Sequence, residues 1–171
     1  MMRAAPLLLV VVLFSAALAR DTVDAWVART DLPPLLPETS VQVVDRDGTL
    51  MRAYTVADGR WRLGARLGQV DPLYLRMLLA YEDKRFYGHD GVDARAILRA
   101  AAQALTHGRI VSGASTLSMQ VARLLEDGST GRWAGKLRQV RVALALERRL
   151  DKAAILHLYM TLAPFGGNIE G

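Results

Sequence analysis

DPLYLRMLLAYEDKRFYGHDG, residues 71–91, carries both the organisation and the chemistry of this chain. Asp71 followed by Pro72 supplies an N-cap and a proline at the first helical position. Leu75, Leu78 and Leu79 recur at helical spacing, which predicts a helix running up to Glu82 and Asp83. A carboxylate at the end of an apolar helix sits at the rim of a core, a setting that suits general acid or base chemistry. The same pair is more often solvated charge. Phe86, His89 and Gly91 come next in a loop, the kind of segment that carries functional groups. A single histidine there is more often a hydrogen-bonded structural residue than a catalyst or ligand.

Downstream, the chain reads as helices with clear punctuation. Asp93 caps an Ala-rich helix that stops near His107 and Gly108. Ser115 caps a third, carrying Leu117, Val121, Leu124 and Leu125. A fourth runs from about residue 133 to 150, with Leu137, Val140, Leu144 and Arg148 on one face. Asp151 caps a fifth through Ile155, Leu158 and Tyr159, ended by Pro164 and Gly166-Gly167. Upstream, residues 41–56 (VQVVDRDGTLMRAYTV) hold two β-prone runs around Asp47-Gly48, a strong hairpin signal. The fold class expected is mainly α, a short β-hairpin followed by a helical domain.

Composition agrees. The chain has 171 residues, 51% of them apolar, enough for one domain with a real core. There is no cysteine, which excludes disulfides and thiolate metal sites within the chain. The net charge of +5 suits an anionic partner: nucleic acid, anionic lipid or a phosphorylated substrate. No aromatic-interleaved basic patch or zinc-finger spacing points to nucleic acid.

The first residues narrow the choice. Arg3 precedes an uncharged apolar run, residues 4–19, closed by Arg20. As a helix that run spans roughly 24 Å, short of the roughly 30 Å hydrocarbon core. Snorkelling of Arg20 and an interfacial Trp26 lengthen it into a single membrane anchor. The other reading is a cleaved signal peptide, with Ala17-Leu18-Ala19 as its site. Both readings export the remainder of the chain. Residues 21–40, ending in the Pro-rich stretch LPPLLP, read as a linker.

Two further stretches bear chemistry. Residues 112–125, SGASTLSMQVARLL, put Gly, Ser and Thr at a helix start, where free N–H groups and hydroxyls hold an anion. An ordinary cap explains the same residues. Residues 135–150, GKLRQVRVALALERRL, put Lys136, Arg138 and Arg141 in the first turns of a helix, where cations oppose the macrodipole. A phosphate partner accounts for them, and so does a solvated basic face.

In this order, the three stretches resemble the glycosyltransferase family 51 domain of penicillin-binding proteins and monofunctional glycosyltransferases. Glu82, Asp83, Phe86, His89 and Gly91 fill every fixed position of that family's E-D-x-x-F-x-x-H-x-G pattern. Residues 113–120 look like its G-G-S-T-x-x-x-Q segment, with Ala114 for the second Gly. Residues 135–139 look like R-K-x-x-E, with Gly135 for the Arg and Gln139 for the Glu. Residues 155–167 look like the I-L-E-x-Y-L-N segment, with His157 and Thr161 for its Glu and Asn. The G-K-x-x-Q variant, S-T-L-S-M-Q and A-P-F-G-G look most like the penicillin-binding protein 1C subtype, which carries a transpeptidase domain after this one.

The resemblance implies a lysozyme-like helical domain over residues 41–171, cut short at its C-terminal end and without the transpeptidase domain. It implies polymerisation of lipid II into β-1,4 glycan with inversion, on the outer, periplasmic side of the bacterial cytoplasmic membrane. By the same resemblance, Glu82 is the general base on the acceptor hydroxyl and Asp83 supports it. Phe86, His89, Ser115, Thr116, Gln120, Arg123, Lys136 and Gln139 bind substrate, and a divalent cation such as Mg²⁺ assists the pyrophosphate. The implied partners are lipid II, the growing glycan strand, membrane lipid and other cell-wall synthesis proteins. Gln139 departs from the two-carboxylate pattern of glycosidases. The alternatives are a precursor-binding scaffold without catalysis and a lysozyme-like lytic transglycosylase. The latter has no use for a basic cluster at Lys136, its leaving group being a sugar.

Overall fold

The computed structural model describes residues 4–64, 66–108, 113–126 and 133–171. They fall into two compact units, Met1–Asp31 and Leu32–Gly171. The first unit is helix α1, Ala4–Ala28. Its 25 residues rise roughly 37 Å at 1.5 Å each, so the helix runs on through the start of the stretch that reads as linker in the sequence. Charge does not end it, because Arg20 and Asp24 pair one turn apart at 3.6 Å. Thr22 Oγ1 also donates back to Leu18 O. Pro6–Ala28 is long and apolar enough to cross a membrane, a test of length and composition that a signal sequence also passes.

The second unit opens with the expected hairpin, β1 (Gln42–Val44) antiparallel to β2 (Leu50–Ala53). Asp45 shapes the turn, its carboxylate accepting the Asp47 and Thr49 amides while Gly48 takes a φ of 82°. The helices come after it: α2 (Pro72–Glu82), α3 (Ala94–His107), α4 (Leu117–Leu125), α5 (Trp133–Glu147) and α6 (Lys152–Leu162). Asp71, Asp93 and Asp151 cap α2, α3 and α6 through their carboxylates, as the sequence predicts. The third expected cap moves by one residue. Thr116, not Ser115, accepts the Met119 amide at the start of α4.

The nine-residue α4 is the centre of the domain. Leu117, Ser118, Met119, Val121 and Ala122 are all buried, the pattern of a helix surrounded by others. It packs against α5 and α6, and Val142, Leu146, Ile155, Leu156 and Leu158 close the core around it. Phe86 enters this core from the loop after α2. By contrast α2 buries none of its residues fully and α3 buries only Ala96.

The domain is not helical alone after the hairpin, as the sequence suggests. A three-stranded sheet in the order β3-β5-β4 joins Trp61–Arg62 (β3) to Pro164–Gly166 (β4) and Ile169–Glu170 (β5). β3 runs parallel to β5, and Arg62 Nε donates to the buried Glu170 carboxylate at 2.7 Å. The ion pair fastens the two ends of the unit together. The fourth expected helix, α5, stops at Glu147, three residues before Leu150.

Candidate active site

Glu82 is the last residue of α2, and Asp83 is its C-cap, donating its amide to Leu79 O at 3.0 Å. The two carboxylates part company there. Asp83 turns inward, where it accepts the Leu117 amide at 2.9 Å, one of the unpaired N–H groups at the start of α4. Both of its oxygens also lie 3.0–3.1 Å from His89 Nε2. Since a carboxylate only accepts, His89 donates through Nε2, and its buried Nδ1 has no partner among the described residues. Asp83 therefore holds the loop.

A second tie runs beside the first. Thr116 Oγ1 donates to Gly91 O at 2.6 Å while capping α4. Gly91 has a φ of 95°, and a Cβ there would lie 2.8 Å from Ala143 O, so the loop crosses the backbone of α5 at a distance only glycine permits. A third tie comes from α6. Lys152 Nζ donates to His89 O at 2.6 Å and to the Glu147 carboxylate at 2.7 Å, and lies over the Phe86 ring. Ser118 Oγ donates to the same Glu147 oxygen. Phe86 and His89 thus serve the frame. The resemblance implied substrate contacts for both, whereas both are buried and neither lines the two clefts that meet at Glu82.

Glu82 turns the other way, towards solvent, and Gln120 Nε2 donates to its Oε2 at 2.8 Å. Its Oε1 has no hydrogen-bond partner among the described residues. Glu82 stands where two clefts meet. One, of about 250 Å³, is walled by Ser115, Gln120, Arg123, Lys136 and Gln139, with Met119 at its base. The other, of about 620 Å³, runs past Lys84, Arg99 and residues 113–116. Asp83 and Thr116 reach the wall of this second cleft, but their polar atoms are committed to the frame. So Ser115, Gln120, Arg123, Lys136 and Gln139 come together with Glu82, while Phe86 and His89 do not.

The smaller cleft is cationic. Lys136 Nζ donates to Ser115 Oγ at 2.7 Å and to Gln139 Oε1 at 3.3 Å. Burial, and then the charge of Arg123, holds the Lys136 ammonium below the ordinary lysine value. Arg138, from the same basic run, faces away and pairs with Glu126 at 2.7 Å. Tyr159 adjoins the site from α6, its phenol raised above the usual value by burial and then by the charge of Glu82.

A divalent cation fits this donor set poorly. Such an ion wants several oxygens with one or two carboxylates among them. The cleft offers one carboxylate, Glu82, and the Ser115 and Gln139 oxygens already face an ammonium. Among the described residues no group of three His, Cys, Asp or Glu converges anywhere.

The sequence missed several participants. No sequence signal singles out Lys84 and Arg99 in the second cleft or Met119 in the first. Ser118 and Lys152 left one trace: a hydroxyl inside an apolar helix run and a lysine at a helix start.

The site is thus a half-buried carboxylate between two clefts, both lined by cations, on a mainly helical domain. A family model described as transglycosylase matches residues 47–171, and the chain belongs to that family. It is 49% identical to penicillin-binding protein 1C of Escherichia coli (strain K12) over 129 residues, 75% of this chain and 17% of that protein. It is 36% identical to penicillin-binding protein 1A of the same organism over 131 residues, 77% of this chain and 15% of that protein. Penicillin-binding protein 1A of Pseudomonas aeruginosa is 34% identical over 131 residues, 77% of this chain and 16% of that protein. The chain thus spans about a sixth of the length of these relatives.

Proposed function

We propose that this chain carries a peptidoglycan glycosyltransferase site that polymerises lipid II into β-1,4 glycan with inversion at the donor sugar. Glu82 is the general base: its free Oε1 takes the proton of the acceptor 4-hydroxyl as that oxygen attacks the donor anomeric carbon. The bond to pyrophosphate breaks on the opposite side, and the electron pair leaves with the phosphate. This leaving group needs positive charge more than a proton, and Lys136 and Arg123 supply it. The acceptor lies in the larger cleft, past Lys84 and Arg99. The observation that carries the reading is the junction itself: the Glu82 carboxylate, with one oxygen free, between two clefts, and Arg123 and Lys136 in the smaller one.

The substrate is lipid-linked, and the apolar surface matches. Leu98 and Leu105 of α3 are 70% and 87% exposed, and Met77 and Tyr81 of α2 are 63% and 88% exposed. We assign these side chains to the membrane surface, and α1 to a membrane span with the domain on the outer side.

The test is incubation of the chain in detergent with lipid II labelled in its sugars. The expected product is a glycan ladder that a muramidase digests, with β linkages by NMR. Lipid II that binds and stays monomeric would replace this reading with the precursor-binding scaffold.

A further inference from the structure

The Lys136 ammonium occupies the two oxygens on which a metal ion would otherwise settle. Ser115 Oγ and Gln139 Oε1 come from α4's leading loop and from α5, and both accept from Lys136 Nζ, at 2.7 and 3.3 Å. Both are neutral donors. A dication on either would stand beside an ammonium, and these oxygens bring no charge to offset the repulsion. The one carboxylate of the cleft already takes the Gln120 amide on Oε2. The neighbouring carboxylates are committed elsewhere: Asp83 to Leu117 and His89, Asp93 to Arg85 and the start of α3. Gln139 is 5% exposed, so its amide is a fixed part of the wall.

We infer that this cleft binds the diphosphate group of its substrate without a divalent cation, Lys136 acting as a resident cation held by Ser115 and Gln139. The neutral side chain at residue 139 is what makes this arrangement work. A glutamate there would pair with Lys136 and cancel its charge toward a diphosphate. It would also add a second carboxylate beside Glu82, and with the substrate's phosphate oxygens a fuller set of charged ligands for Mg²⁺. The position therefore decides between two ways of meeting the same charge. The inference rests on the proposed reaction only for its identification of the ligand as a diphosphate.

The test is calorimetric binding of inorganic pyrophosphate to the full chain in detergent, in EDTA and in Mg²⁺, compared at equal free pyrophosphate. The wild type is expected to bind in EDTA, with affinity changed less than threefold by Mg²⁺. Lys136→Met should weaken binding at least tenfold, while Lys136→Arg, which keeps the charge, should stay within threefold. Gln139→Glu should bind at least tenfold more weakly in EDTA and recover in Mg²⁺. Melting curves check that each variant is folded. Binding by the wild type only in Mg²⁺, or unchanged binding in Lys136→Met, would overturn the inference. Metal-free binding without any glycan synthesis would uphold it and count against the proposed reaction instead.

Discussion

Helices α2 and α3 differ from α4, α5 and α6 in how they are held. The latter three bury a continuous set of side chains, Leu117, Val121, Val142, Leu146 and Ile155 among them, with no exposed surface. On α2 and α3 the large apolar side chains, Leu73, Met77, Tyr81, Ile97, Leu98 and Leu105, are mostly exposed, and only Leu75, Leu78 and Leu79 lean on the core. Yet Glu82 belongs to α2 and the cationic wall to α4 and α5. Packing through those three leucines fixes only part of their relation. A few polar ties add to it: Asp83 to Leu117, Thr116 to Gly91, Gln120 to Glu82. The site lies along the seam between a packed half and a tethered half, and the tethered half leaves its large apolar side chains exposed.

The contrast can be broken first at the core. Leu146→Ala should cost about 3 kcal/mol in denaturant unfolding, whereas half-buried Leu78→Ala should cost about 1 kcal/mol. Equal losses would mean that α2 is packed as firmly as α4. Next come the ties. Asp83→Ala leaves the Leu117 amide and the His89 ring unpaired in a buried place, for a loss of about 2 kcal/mol. Its activity should fall further than its stability, because Glu82 sits one residue away; a thermal melt and a glycan assay on the same sample separate the two.

A smaller effect depends on pH. The Arg85 guanidinium beside Asp93 holds that carboxyl at about 2, below its ordinary value of 3.8. A depressed folded-state value favours the folded state above the unfolded one, so this contribution is complete above about pH 4. It is lost as pH falls from about 4 to about 2. Asp93→Asn keeps a capping residue and removes the charge, so its melting temperature should fall less steeply than the wild type's across that window. The smallest effect is expected on the exposed face. Leu105→Ser should change stability by less than about 0.5 kcal/mol while weakening binding to anionic vesicles in a flotation assay.

Much of this was legible in the sequence, for a physical reason. Caps and helical periodicity are local, so Asp71, Asp93 and Asp151 announced their helices. In residues 71–91 the spacing marked a charged helix end after an apolar run, and the resemblance made Glu82 the candidate base. What escaped depended on contacts far apart in the chain. The strands at Trp61 and Ile169 are two residues long and exist only because they pair across the whole unit. That Phe86 and His89 face inward, while Glu82 faces out, is set by where α4 and α6 dock. The shift of the cap from Ser115 to Thr116 has the same origin: Gly91 O fixes Thr116, and Ser115 is left to meet Lys136.

The proposed reaction turns on Glu82 acting on the proton and not in binding. Single-turnover glycan formation and lipid II affinity, measured in parallel for the wild type and Glu82→Gln, test it most directly. A general base at this position predicts affinity within about threefold and a rate lower by about a thousandfold, the scale of a lost general base. A rate that survives the substitution, or a loss that lies wholly in affinity, would contradict it.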